Sequence, residues 1–192
     1  METTLNSKSF RALMAVLLLA FSGFALAACG SDDEAEGSAE GEVEVVIEGE
    51  PVELDPFEYN VFFTRPLNRF DVEDREYLEG QPPPKPGETY IGVFVKIENK
   101  GDVAHDVPES FEIVDTAGGR YESIESDSVY ALPTGATLEP GEQFPEIDST
   151  PQVGPIQASM LLYKVPDETL ELRPVVLELA GDGELAEVEL DL

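Results

Sequence analysis

Tryptophan is absent from the 192 residues, cysteine and histidine occur once each, and Lys and Arg together number 11 against 41 Asp and Glu. Each scarcity closes off a class of function. With Cys29 alone, no intramolecular disulfide forms, even in an oxidising compartment. With His105 as the sole histidine and no second thiol, only a weak metal set of one His with carboxylates is available, and a Ser–His or Cys–His nucleophile has no credible arrangement. The lack of tryptophan removes a common stacking platform for sugars. A formal net charge of −30 leaves no basic surface to displace counterions from phosphates, which excludes nucleic acid as a partner. It also opposes electrostatic adhesion to anionic lipid headgroups. Long apolar runs are scarce too. "ALMAVLLLAFSGFALAA", residues 12–28, falls short of the about 20 residues that a spanning helix needs, and Ser22-Gly23 interrupts it.

What surrounds that run gives it a meaning. Lys8 and Arg11 precede it, and Glu2 is the only acid before Asp32. A positive start, an apolar middle and small residues at the end read as a secretory signal. The closing Leu26-Ala27-Ala28-Cys29 resembles the lipobox of bacterial lipoproteins. That resemblance implies diacylglycerol on the Cys29 sulfur, cleavage of residues 1–28 as a lipoprotein signal peptide, and Cys29 as the new N-terminus. The implied partner is a membrane, held through the lipid anchor, on the extracytoplasmic face of a bacterial cell. Physically, one acyl chain holds a protein only marginally, at about 0.8 kcal/mol per buried methylene, whereas two or more chains anchor it stably. The segment after the cysteine, "GSDDEAEGSAEGE", has no large apolar side chain. Residues 29–42 are therefore expected to be the lipidated cysteine and a self-repelling tether, spanning on the order of 20 Å as a coil and about 45 Å extended.

From residue 43 the hydrophobic period is two. "EVEVVIEGE" is expected to turn Val43, Val45 and Ile47 inward, and "PFEYNVFF" to do the same with Phe57, Tyr59, Val61 and Phe63. In "TYIGVFVKIEN", Ile91, Val93, Val95 and Ile97 alternate with outward Lys96 and Glu98. "ASMLLYKV" is apolar on both faces, as in a central strand. Gly118-Gly119 and Gly181-Asp182-Gly183 mark hairpin turns. Ala186, Val188, Leu190 and Leu192 alternate with acids to the end. About eight short strands, fifteen prolines and no helical stripe predict an all-β chain, an antiparallel β-sandwich over residues 43–192. Two stretches, residues 64–88 and 143–157, fit no strand scheme. Long loops on a rigid sandwich are where binding usually sits, so this pair is the expected contact surface if both lie at one end. "DVEDREYLE" within the first is compatible with a single helical turn, and "PPPKP" with a stiff polyproline segment.

Asn99-Lys100-Gly101, Phe111, Asp115, Gly118-Gly119, Tyr121, Leu138-Glu139-Pro140-Gly141-Glu142 and Val165-Pro166 occur in a recognisable order. Residues 89–166 thereby resemble the immunoglobulin-like domains of bacterial surface lipoproteins, the telomeric-repeat-binding-factor-like family. The resemblance implies an extracellular immunoglobulin-like module used for interaction, and it carries over no catalytic residue. The chain departs from that pattern in the proline-rich stretch after Pro140-Gly141-Glu142 and in the added residues 64–88.

Other constellations are thin. His105 lies near Asp102 and Asp106 in a polar loop. "GDGELA", residues 181–186, fits G-x-G-x-x-A in letters, but "EVELDL" follows where a dinucleotide site requires a helix. Paired carboxylates for glycoside chemistry cannot be singled out among so many acids. Copper is disfavoured, because Met160 is the only methionine beyond the signal. Hard cations want several oxygen ligands, and the acid-rich loops offer Asp71, Glu73 and Asp74 in the first and Glu146 and Asp148 in the second, although no spacing matches an EF-hand. The sequence thus points to a lipid-anchored, non-enzymatic binding or interaction module without cofactor, its partner a protein or envelope component. The alternative is a lipoprotein that binds calcium or a small solute.

Overall fold

Alternation in "TYIGVFVKIEN" sets the frame of the molecule. Ile91, Val93, Val95 and Ile97 share one parity and are fully buried, so that face must meet another layer. The structure is a computed structural model that describes residues 43–192. The expected signal with Leu26, Ala27 and Ala28, and the expected tether beginning at Cys29, lie outside the described residues.

The strands are β1 (Glu44–Ile47), β2 (Pro51–Leu54), β3 (Phe57–Leu67), β4 (Glu88–Asn99), β5 (His105–Asp106) and β6 (Glu112–Val114). They continue as β7 (Arg120–Glu122), β8 (Thr137–Leu138), β9 (Gln143–Phe144), β10 (Ser159–Pro166), β11 (Val175–Ala180) and β12 (Leu185–Leu190). One sheet runs β1-β12-β11-β6-β7; the other runs β10-β4-β3-β2, with β9 also on β4, and β5 and β8 form a short ribbon. The pairings between these strands are antiparallel except for β1 beside β12. The chain is a β-sandwich. Its main core lies between the sheets, where Tyr59, Val95 and Tyr163 of one sheet cluster with Ile113, Leu177 and Val188 of the other. Each fully buried aliphatic side chain there contributes about 1.5–3 kcal/mol. Both glycine-marked hairpins form, β6–β7 and β11–β12, with Gly118 at φ +83° and Gly183 at φ +84°.

Three expectations change. In β1 the inward residue is Val46, and Val43, Val45 and Ile47 are exposed. The parallel register sets Val46 beside Val188, which already faces the core, and sends its neighbours the other way. In β3, Phe63 leaves the parity of Phe57, Tyr59 and Val61. A bulge between Val61 and Phe63 places Phe63 opposite Phe94 on the outer face and turns Thr64 inward. Strand β10 is apolar on both faces yet ends its sheet, paired on one side with β4 and bridged on the other only at Ile124 and Ala131.

The double-sided apolarity of β10 has another cause. A second cluster of buried side chains covers the outer face of the β10-β4-β3 sheet, built from Phe94, Met160 and Leu162 beneath Tyr77 and Leu78 of the 64–88 stretch. Ile156 of the 143–157 stretch and Tyr130 pack against it, and the Tyr130 ring meets Tyr77 edge-on at 4.8 Å. The first long loop is therefore packed onto a sheet face, where Ile156 at the end of the second joins it, while Phe144 of the second belongs to the core between the sheets. The single turn foreseen in the first is a 3₁₀ turn at Glu73–Arg75.

Candidate functional site

The 64–88 stretch leaves a groove of about 400 Å³ along its contact with β4. Its construction starts at Asn68, whose Oδ1 accepts the Phe70 N–H at 3.0 Å while its carbonyl accepts the Asp71 N–H at 2.9 Å. This is an Asx turn, and it holds Phe70 out in solvent at 82% exposure. Asp74, only 1% exposed, braces the turn from beneath: Oδ2 accepts the Asn68 N–H at 2.7 Å, and Oδ1 takes the Arg65 guanidinium. Backbone bonds from Leu78 to Asp74 and from Gln81 to Leu78 carry the chain round to Gly80. There φ is +76° and a Cβ would sit 2.3 Å from Asp127 Oδ2, so the position favours glycine. The Tyr90 hydroxyl donates to the Pro82 carbonyl at 3.0 Å and fixes Pro82–Pro84 as the far wall.

The result is a trough with Leu67, Leu78 and Tyr90 along it, prolines and Phe70 at its sides, and Asn68, Arg69, Gln81 and Thr89 as polar groups. Its lining contains no carboxylate, histidine, cysteine or serine. The volume lies in the range of small-ligand sites, which are mostly apolar with a few placed polar groups. The sequence hinted at this only through the odd composition of 64–88.

The calcium candidates are not gathered. Asp71 and Glu73 are exposed on the first loop, while Asp74 is buried with both oxygens already engaged. Glu146 and Asp148 sit in a turn of the second loop, where the Glu146 carbonyl accepts the Ser149 hydroxyl at 2.6 Å and Asp148 adopts φ +64°. Among the described residues, no group of three or more His, Cys, Asp or Glu is placed to hold a metal ion. His105 is half-buried, its ring edge-on to Phe57 at 6.2 Å.

Of the residues that carried the family resemblance, Phe111 and Val165 belong to the core and the polar ones close turns. Asn99, fully buried, donates through Nδ2 to Val103 O at 2.9 Å and Leu138 O at 2.8 Å, and its Oδ1 accepts the Gly101 N–H at 2.9 Å. Its own backbone exchanges bonds with Glu142 O and the Gly141 N–H, so the two motifs are stapled together by one side chain and its peptide. Asp115 Oδ1 accepts the N–H groups of Ala117 and Gly119 at 2.9 and 2.8 Å, and Oδ2 accepts the Tyr121 hydroxyl at 3.2 Å. A Cβ on Gly119 would lie 2.6 Å from both Asp115 Oδ2 and the Tyr121 oxygen, which fixes glycine there.

The acidity has a definite arrangement on the outer face of the β1-containing sheet. Glu187, Glu178, Glu112 and Glu122 stand in direct cross-strand register. Like charges directly opposite repel, and Arg120 answers them by bridging Glu112 and Glu178. Hydrogen bonds to Glu112 and then Glu178 raise the Arg120 pKa. On the other sheet, hydrogen bonds from Lys100 and Lys96 hold the Glu98 carboxyl below its usual range. The charge is largely a solvated face.

No protein-family profile matches the chain, and no curated protein does. Among solved structures, an uncharacterized beta-sandwich protein from Clostridium difficile 630 is similar, at 18% identity and TM-score 0.45 over 77% of this chain and 94% of that one. The yjhA protein from Bacillus subtilis shows 14% identity and TM-score 0.45 over 76% and 99% of the two chains. A conserved hypothetical protein from Bacillus anthracis shows 13% identity and TM-score 0.44 over 70% and 88%. The sandwich assignment rests on the strand pairing of the chain itself.

Proposed function

We propose that the chain is a lipid-anchored lipoprotein on the extracytoplasmic face of a bacterial membrane, and that its folded part is a non-catalytic binding module. The groove between residues 66–84 and β4 is its contact surface. The single observation that carries the binding role is this apolar trough, held open by a braced turn, with an aromatic ring left exposed at its lip. A fixed loop that holds Phe70 out in water gives up burial of a large apolar ring, which a binding partner restores. The Leu26-Ala27-Ala28-Cys29 pattern supports the address, and the acidic segment after it supports a spacer between membrane and domain.

Two arms test the proposal in cells. Metabolic labelling with an alkynyl fatty acid is expected to mark the wild-type chain and to vanish in Cys29→Ser; labelling that persists overturns the anchor. A photo-crosslinking amino acid at Phe70 is expected to give discrete adducts that disappear when Pro84→Trp fills the groove. The same crosslinker at Asp182, an exposed hairpin position, serves as the control. Identical adduct patterns at both positions overturn the groove as contact surface.

A further inference from the structure

Arg69 combines partial burial with the lack of an ion-pair partner. Carboxylates outnumber Lys and Arg by 41 to 11. Arg65, Lys96, Lys100 and Arg120 each take one or two of them within 4 Å. Arg69 takes none among the described residues, and neither do Arg75, Lys85, Lys164 and Arg173; those four are exposed, whereas Arg69 is half-buried and lines the groove. Its charge reaches the adjoining aromatic ring: burial and Glu88 raise the Tyr90 phenol pKa, and Arg69 pulls it back down. The loop design keeps it apart. Asp74, the buried acid of this loop, is already committed to Arg65 and the Asn68 N–H. Holding a partly desolvated guanidinium without a counter-ion costs free energy that an exposed one does not incur.

An unpaired guanidinium at the side of an apolar trough is complementary to a molecule with an apolar body and one anionic end. A carboxylate suits it, because the guanidinium fork meets two carboxylate oxygens at once. Leu67, Leu78, Tyr90 and the proline wall then bury the body, and the about 400 Å³ of the groove sets its size to a small molecule. The geometry points to the groove as a binding site for a small apolar monocarboxylate, a short or medium alkyl-chain acid, with its carboxylate on Arg69. This rests on the groove being the contact surface of a binding module, and it adds the class of ligand.

The test uses the full chain in lipid nanodiscs, with empty nanodiscs as the blank, and follows binding by titration calorimetry and saturation-transfer NMR. The probes are octanoate, its neutral counterpart octanamide, and acetate, which has the charge without the body. Octanoate is expected to bind about tenfold or more tightly than octanamide, the range of a charge-assisted hydrogen-bonded contact, and acetate not measurably. Arg69→Gln should erase the octanoate advantage and leave octanamide unchanged, whereas Pro84→Trp should abolish both. Equal binding of octanoate and octanamide to the wild type overturns the anion site while leaving the groove as a binding surface. Octanoate binding that survives Pro84→Trp, or that acetate matches, overturns the site itself. No binding of octanoate overturns the ligand class, and the crosslinking arm at Phe70 then decides separately whether the groove contacts anything.

Discussion

Asn99→Ala is expected to lower the unfolding free energy by about 3–5 kcal/mol, read from the denaturant midpoint at unchanged slope. The side chain is fully buried and makes three hydrogen bonds, to Val103 O, Leu138 O and the Gly101 N–H. Truncation leaves two carbonyls and one amide without partners. Each buried unsatisfied group costs about 1–3 kcal/mol, and partial entry of water into the loop recovers some of it. Against a total stability of about 5–15 kcal/mol the loss is large. The near-isosteric Asn99→Asp separates hydrogen-bond chemistry from cavity formation. A carboxylate keeps the acceptor for Gly101 but turns an anion toward two carbonyl oxygens, so at neutral pH this variant should be less stable than Asn99→Ala. Its folded state raises the carboxyl pKa above the unfolded value. The unfolded chain therefore loses its proton first as pH rises, and the variant should regain stability as pH falls through the folded-state pKa. A protonated acid can donate to one of the two carbonyls. An Asp variant that is as stable as wild type at neutral pH would show that the staple is not what holds the two turns.

Much of the sandwich was legible because several segments specify one parity only. Ile91, Val93, Val95 and Ile97 alternate with Lys96 and Glu98, and Ala186, Val188 and Leu190 alternate with acids, so a slip of one residue would bury charge. Strand β1 lacked that protection. Val45-Val46-Ile47 is apolar on both parities, and its facing is decided by Val188 in the neighbouring strand, a long-range partner that no local pattern reveals. Phe63 was misplaced for a related reason. "FF" after "YNV" is where alternation fails, and the bulge there moves the second ring to the opposite face. The groove was the least legible feature. Residues 64–88 read as an irregular loop because Tyr77 and Leu78 are buried by β4 and β10, not by each other. Two signs pointed to a cover: the second parity of β4, Tyr90 and Phe94, and the apolar outer residues of β10, Met160 and Leu162. Read jointly, they mark a sheet face that needs a lid, but they leave open which loop supplies it. The unpaired state of Arg69 depends on Asp74 turning toward Arg65, which only the folded loop shows.

Phe94→Ala tests whether this lid is part of the core, and it is expected to cost about 3–5 kcal/mol, as much as an aromatic deletion between the sheets. In a simple two-sheet sandwich the outer face of β4 is wet, and a Phe there contributes little. Here Phe94 is fully buried, with Tyr77 edge-on at 5.1 Å and Phe63 stacked at 6.2 Å. Its removal takes out the ring on which the 64–88 stretch rests and leaves a cavity that the tightly hydrogen-bonded sheet cannot close. The midpoint of thermal unfolding should fall by on the order of 10 °C for a domain of this size. Phe63→Ala is the internal control. It lies on the same sheet face, in the same stack, but is 41% exposed, so its loss should cost about 1 kcal/mol. A ratio near three or more between the two variants places the stabilisation in the covered pocket and makes the 64–88 stretch a folded layer of the domain. Comparable small losses would mean that the stretch only rests on the sheet, and a groove built from it would lack the rigid wall that selective binding requires.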